Sequence, residues 1–272
     1  MSAFTRVLLE DNPSPMTLEG TNTWILRASD SGGVVVIDPG QITVSSYLTE
    51  LNRKVGGAEH DPARFEAHIG ALATLPIELI LLTHHHVDHA EGAPELSRLT
   101  GAPIRAFAPD LNVGADPLTD GEIIRAAGIA IEVVHTPGHS YDSVSFFLPE
   151  DGEAGAMLTG DMILGRGSTV LGPEQNALGE FLDSLDRYAT YGDAAILTGH
   201  GAVLPSLKST SDEYAQHRKE RLDQVSRALD ILGTDASAEQ VVDLVYTDLA
   251  APLRPAAISS TTAQLEYLRS TH

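Results

Sequence analysis

The chain has 272 residues, with 17 basic against 38 acidic side chains, a formal charge of −21, 42% hydrophobic residues and 20% charged. That length fits one large domain or one domain with an appendage, and the composition excludes wholesale disorder. The acidity argues against broad electrostatic capture of nucleic acid or anionic membrane, and the lack of cysteine excludes disulfides, thiolate zinc sites and a cysteine nucleophile. No apolar run approaches the ~18 residues of a membrane span. The first residues carry one arginine and an early Glu10-Asp11 pair, which reads as neither a secretory signal nor a transit peptide. A cytoplasmic protein with no membrane partner is expected.

In chain order, Gly33 to Ile37 reads as a buried strand closed by Asp38-Pro39-Gly40. A polar-to-helical connection leads to a second strand, Ile77 to Leu82. Residues 103–108, 131–134, 143–148, 154–158 and 194–197 read the same way. After Pro205 the pattern turns helical. A helix over 212–232 carries Leu222, Val225, Leu229 and Leu232 as a stripe and stops at Gly233. Ser237-Ala-Glu-Gln240 is a capping box opening a second helix, and Pro255 starts a third that ends near Leu268. Charge divides unevenly, with −18 over residues 1–205 and −3 over 206–272. A catalytic domain over 1–205 and a small helical module over 206–272 are therefore expected.

Four His/Asp clusters stand where strands end. Thr83-His-His-His-Val-Asp-His89 follows the strand at 77–82; Thr136-Pro-Gly-His139, Thr159-Gly-Asp161 and Thr198-Gly-His200 follow later ones. Alternate residues of an extended turn point the same way, so His84 and His86 face one place while Asp88 and His89 face another beside it. Imidazole and carboxylate are the donors zinc accepts when thiolate is missing. The seven groups divide into two sites, with His84, His86 and His139 for one metal and Asp88, His89 and His200 for the other. Asp161 is placed to bridge them. The glycine before each downstream ligand leaves room for close backbone approach. His60, His68, His135 and His272 read as ordinary histidines.

These motifs resemble the metallo-β-lactamase-fold hydrolase superfamily, and Ile37-Asp38-Pro39-Gly40 is similar to its first motif. The resemblance covers roughly residues 7–205. It implies an α/β, four-layer αββα sandwich with metals at one edge, and Asp38 orienting the metal loop through hydrogen bonds. Asp161 stands where one zinc-dependent lactamase class has cysteine, so antibiotic hydrolysis is not expected. Three further stretches, Asn12–Trp24, Gly160–Thr169 and Tyr214–Arg218, resemble the lactamase-beta-like group, which includes an endoribonuclease acting on single-stranded RNA. That group carries a winged-helix-like module after the catalytic domain. Here His272 directly follows the third helix, so no β wing is expected.

The chemistry expected is hydrolysis by water activated between two divalent metal ions, zinc first, with iron or manganese suited to the same donors. Asp88, Asp161 and His200 are the expected catalytic groups. For a phosphodiester, Arg166 with the Ser168 or Thr169 hydroxyl would grip phosphate, and His217 and Arg218 would form the far wall or protonate a leaving oxygen; equally, their helix would pack back on the sandwich with a buried Tyr214 hydrogen bond. Asn22 would line the mouth or brace a turn. Single-stranded RNA is the leading substrate. The alternative is a small ester or thioester, as for the glyoxalase II enzymes, whose metal motif the extra His85 resembles. A homodimer is compatible with the helical module.

Overall fold

A computed structural model describes residues 4–42, 62–172 and 176–270; His60 and His272 lie outside these. Ten strands form two five-stranded sheets. The first contains β1 (Thr5–Leu9), β2 (Asn22–Leu26), β3 (Val34–Ile37), β4 (Ile77–Leu81) and β5 (Ile104–Arg105), in that order. The second contains β6 (Ile123–Ala126), β7 (Ile129–His135), β8 (Val144–Leu148), β9 (Ala156–Gly160) and β10 (Ala195–Thr198), again side by side. Strands β3, β4 and β5 pair in parallel, as do β9 and β10; the remaining pairs are antiparallel.

Both faces of each sheet are covered, which explains why the central strands are apolar throughout rather than alternating. Trp24, Leu26, Val35, Ile37, Leu79 and Leu81 point inward and meet Ile131, Val133, Phe146 and Leu158 of the other sheet. The residues between them, Val34, Val36, Ile80 and Leu82, point outward onto α1 (Pro62–Leu72) and α3 (Ala93–Thr100) through Ile69, Leu72 and Leu96. On the opposite side Val134, Met157 and Ile196 pack on α4 (Ala177–Ala189) through Leu178, Phe181, Leu185 and Tyr188. The layers run helix, sheet, sheet, helix. Each such fully buried aliphatic or aromatic side chain contributes about 1.5–3 kcal/mol.

Three strands go beyond the expected set. β1 is an edge strand with Val7 and Leu9 half exposed, so it lacks the apolar run that marks its neighbours. β2 hides within a motif-rich stretch. β6 joins β7 through Ala127-Gly128, both at positive φ, the two-residue turn whose twist suits a hairpin. The strand expected over 103–108 shortens to β5, because the Ala106 amide donates to Asn112 Oδ1 (2.9 Å) and leaves the ladder.

The C-terminal helices are α5 (Leu207–Leu232), α6 (Ala238–Val245) and α7 (Arg254–Ser270). α5 begins five residues before the expected 212, where Ser206 caps it by accepting from the Ser209 amide (3.2 Å). The Ser237–Gln240 capping box is present with both of its hydrogen bonds. Val225 sits with Val241 and Leu265 in a small core of the three helices, whereas Leu232 is 40% exposed. Leu207, Ala263 and the partly buried Tyr214, Leu222 and Tyr267 join the core on α4 instead. The helices therefore pack onto the outer layer of the sandwich as well as on one another. No helix among the described residues is long and apolar enough to cross a membrane.

His68 on α1 is buried, and its Nε2 stands 3.0 Å from Thr23 Oγ1, whose hydroxyl donates to the Asp38 carbonyl (2.7 Å). Thr23 therefore accepts from a protonated Nε2. Burial lowers the ring's pKa from 6.5 to about 4. On acidification the unfolded chain takes up this proton first, so the stability held by the neutral ring is complete above pH 6.5 and drains away as pH falls to about 4. Glutamine at this position retains a donor and does not titrate. His68→Gln should therefore gain on the wild type by up to about 3 kcal/mol between neutral pH and the acid end of that window, measured by denaturant unfolding.

Candidate metal centre

All the expected chemical groups sit at the carboxyl ends of strands along one edge of the sandwich. Asp38 follows β3, residues 83–89 follow β4, His139 follows β7, Asp161 follows β9 and His200 follows β10. Parallel pairing of β3 with β4 and of β9 with β10 brings these loops to the same end. His86 caps the short helix α2 (Val87–Ala90), whose first turn turns Asp88 and His89 away from His86.

Three overlapping groups of donors result. His84, His86 and His139 form one, Asp88, His89 and His200 a second, and His84, His89 and Asp161 a third that straddles them; within each, the donor atoms lie within 4.8 Å of one another. His86 Nδ1 is 3.0 Å from His84 Nε2 and 2.9 Å from His139 Nε2. His200 Nε2 is 3.2 Å from both His89 Nε2 and Asp88 Oδ2. Asp161 stands between the first two groups. Its Oδ2 is 3.7 Å from His139 Nε2, while its Oδ1 is 3.4 Å from His89 Nε2 and 3.3 Å from His200 Nε2. That Oδ1 is buried without a well-formed hydrogen bond. An orphaned carboxylate oxygen facing convergent imidazole nitrogens is what a cation would satisfy, so the residues present fit a pair of divalent ions.

The far nitrogens of His84, His89, His139 and His200 are held by acceptors, which fixes ring orientation and turns the other nitrogen into the centre. The Asp38 carboxylate accepts from the Thr83 amide (2.8 Å), the Thr83 hydroxyl (2.7 Å) and His89 Nδ1 (2.9 Å). Since that hydroxyl donates to Asp38, Thr83 Oγ1 accepts from His84 Nδ1 at 3.0 Å. His139 Nδ1 donates to the Val170 carbonyl (3.0 Å), with Thr169 Oγ1 at 3.1 Å, and His200 Nδ1 donates to the Gly20 carbonyl (3.1 Å). Asp38 itself adopts a left-handed backbone (φ 52°), an unfavourable conformation for a non-glycine residue, held here by these bonds. Close approach also requires Gly199, where a Cβ would lie 2.7 Å from Asp161 Oδ1 and 2.9 Å from His89 Cε1.

Electrostatics divides the first two groups. Burial, reinforced by neighbouring rings, lowers the pKa of His84 and brings His86 down to about 3; burial also lowers His139. These three rings are neutral donors. Around His200 burial is outweighed by Asp161 and Asp88, which raise it to about 10, and His89 is raised well above 6.5 by the same carboxylates. Asp88 is held at about 2 because His89 and His200 overcome the desolvation that would raise it. The carboxylates draw positive charge into this half of the site, a demand that a divalent cation meets more fully than a proton does.

The remaining expected site residues have other partners. Asn22 Nδ2 donates to the Thr198 carbonyl (3.0 Å) and the Gly201 carbonyl (2.9 Å), bracing the His200 loop. The exposed Arg166 pairs with Glu19, and Ser168 is exposed beside it. Arg218 is buried, donates to the Thr169 carbonyl (2.6 Å) and lies 4.9 Å over the Phe181 ring. It thereby supports the loop that orients His139. His217 faces a cavity of about 690 Å³ that starts at His139 and Asp161 and extends between the 164–170 loop and the C-terminal helices. His85 Nδ1 meets the buried Asp142 carboxylate at 2.7 Å. Sequence reasoning missed Thr83, Thr169 and the Gly20 carbonyl as supports. A threonine precedes each histidine or aspartate motif, and that recurrence was the available signal for Thr83.

The sequence profile of the metallo-beta-lactamase superfamily matches residues 16–200. The chain belongs to the metallo-β-lactamase superfamily. Its members are metal-dependent hydrolases. The lactamase-like protein nscB of Arthroderma otae is 34% identical over 223 residues, covering 79% of this chain and 62% of that protein. The chain thus spans less than two thirds of that relative's length. The fold is shared with a metallo-beta-lactamase family protein of Thermus thermophilus (TM-score 0.76, 24% identity, 98% of this chain and 93% of the other). It is also shared with a beta-lactamase domain protein of Burkholderia ambifaria (TM-score 0.75, 22% identity, 98% and 86%).

Two substitutions test the support around the superfamily's metal edge. Asp38→Asn removes the charge that holds Thr83 and His89, and Gly199→Ala forces a methyl against Asp161 and His89. Each should lower metal affinity roughly 10- to 100-fold, the range for disturbed outer-shell partners. Competition against a chromogenic chelator measures this, with circular dichroism reporting whether the fold is retained.

Proposed function

We propose that the enzyme hydrolyses a small ester or thioester with an apolar acyl group, using two metal ions held by His84, His86 and His139 and by Asp88, His89 and His200, with Asp161 shared. The observation that carries the substrate class is the cavity, which begins at His139 and Asp161 and is walled by Met16, Leu18, Leu164, Leu249 and Leu253. Its volume of about 690 Å³ lies within the range of small-molecule sites. An apolar wall beside the reacting centre favours an acyl chain over a ribose-phosphate backbone.

Metal ions in this site supply Lewis acidity, which activates water and polarises a carbonyl near neutral pH. Zinc suits these donors, as iron and manganese do. Asp88, ionised and partly exposed, offers a carboxylate oxygen to accept a hydrogen bond from the attacking water and orient it. Asp38, Thr83 and the Val170 and Gly20 carbonyls keep the imidazoles aimed while charge shifts at the centre. The 164–170 loop and α5 shield the acyl group from bulk water. A thiol leaving group, with a pKa near ~8.5, departs as thiolate without a proton from the protein.

The single-stranded RNA reading rests on Arg166 and Arg218 as phosphate grips. Arg166 is matched by Glu19, and Arg218 is buried with its guanidinium on the Thr169 carbonyl, so neither presents an open charge to a polyanion. RNA remains the comparison arm of the experiment. Elemental analysis should give about two metals per chain. An acyl thioester should be hydrolysed in a chelator-sensitive manner that zinc restores, with labelled single-stranded RNA left intact. Asp161→Ala should lose at least one metal together with activity. Chelator-sensitive RNA cleavage without thioester turnover would reverse the substrate assignment.

A further inference from the structure

The cavity has a second polar end. Tyr214, Arg218 and Arg221 lie four and three residues apart on α5, along one face, and all three line the cavity. Tyr214 marks the metal end, since its hydroxyl accepts from the Leu164 amide (3.1 Å) and donates to the Gly167 carbonyl (3.1 Å). Seven residues further along the helix, about 10 Å away at 1.5 Å per residue, stands Arg221. Its guanidinium lies 4.8 Å over the Tyr246 ring and donates to Gln224 Oε1 at 2.7 Å. Among the described residues it meets no carboxylate within salt-bridge distance, in a chain whose formal charge is −21.

Arg166 at the rim is paired with Glu19. Arg218 also meets no carboxylate among the described residues, but it is buried, donates to the Thr169 carbonyl and lies over Phe181, with its Nε left without a hydrogen-bond partner. Glu213 belongs to the metal end, one residue from Tyr214, where it accepts from Ser209 Oγ (3.4 Å). That places it about 12 Å along the helix from Arg221. His217 lies one turn before Arg221 on the same face, and its pKa is lowered by burial and by Arg218 and Arg221. It is a neutral donor at neutral pH, able to share an anion with Arg221. Stacking on Tyr246 fixes the guanidinium plane, and Gln224 uses only part of its fork.

We propose that Arg221 forms an anion-binding end of the acyl pocket, so that the preferred substrate is a thioester or ester whose apolar chain ends in a carboxylate about 10 Å from the reacting carbonyl. The metals hold the scissile end, the apolar wall covers the chain, and Arg221 with His217 receives the terminal carboxylate. This rests on the ester or thioester reading of the site. In it, Arg221 determines specificity and takes no part in bond cleavage.

The test uses the full metal-loaded chain and two N-acetylcysteamine thioesters, of octanoate and of suberate as its monothioester. They differ only in a terminal carboxylate. The wild type should favour the suberoyl thioester by about tenfold in kcat/KM, the scale of one charge-assisted hydrogen-bonded pair. Arg221→Met should bring that preference near unity through a raised KM for the suberoyl thioester, and Arg221→Lys should restore part of it. Retention of the full preference in Arg221→Met, or preference of the wild type for octanoyl, would overturn the proposal. If the wild type hydrolyses neither thioester, the thioesterase reading fails separately. Calorimetric binding of suberamate, an amide that resists hydrolysis, then decides the anion site. Binding weakened in Arg221→Met supports it, and equal binding by both proteins refutes it.

Discussion

The structure depends on concentrating lone pairs in a desolvated corner. Five imidazoles and two carboxylates point their free atoms at one another across gaps of 2.9–3.7 Å. Such an arrangement is costly on its own, because buried polar groups lacking partners lose several kcal/mol of hydration. Two things make it tenable. The sandwich supplies rigid strand ends that cannot relax apart, and the donor set is matched to cations. The outward ring nitrogens complete the scheme, since each one fixed by an acceptor leaves its partner nitrogen free to face the centre.

Legibility in the sequence followed locality. The seven convergent groups were readable because each sits beside a strand end in a short motif with glycine or threonine in it, and a short turn fixes their relative direction. The central strands were readable because burial on both faces leaves unbroken apolar runs. β1 was not, because an exposed edge strand needs no such run and its partner β2 is twelve residues away. For Arg218 and Asn22 the sequence left a substrate contact and a structural brace open side by side. Their hydrogen bonds go to the carbonyls of Thr169, Thr198 and Gly201, contacts that only the folded chain brings together. The same limit hid Arg221, whose significance comes from what it does not meet.

Charge also changes meaning once placed. A net −21 reads as hostile to polyanions in general. In the fold, much of the positive charge is neutralised locally, in pairs such as Arg64–Asp11, Arg105–Glu122, Arg187–Asp120 and Arg254–Asp243. The cavity beside the metal edge retains Arg218, buried, and Arg221, neither of them with a carboxylate partner among the described residues. A surface that repels long polyanions and a pocket with two unmatched cations are compatible with selection of a small anionic substrate.

The loop from Asp161 to Val170 links these requirements. At one end Asp161 faces both donor groups, and at the other the Thr169 hydroxyl and Val170 carbonyl orient His139. Between them, Leu164 and Gly167 are tied to Tyr214 of α5, and Arg218 of the same helix holds the Thr169 carbonyl. The wall of the substrate cavity and the support of a metal-facing imidazole are therefore one stretch of backbone. The helix that carries Arg221 is thereby joined to the loop that orients His139 through bonds of 2.6 to 3.1 Å. The C-terminal helices share in building the centre, which is why their apolar faces are buried against α4 and not only against one another.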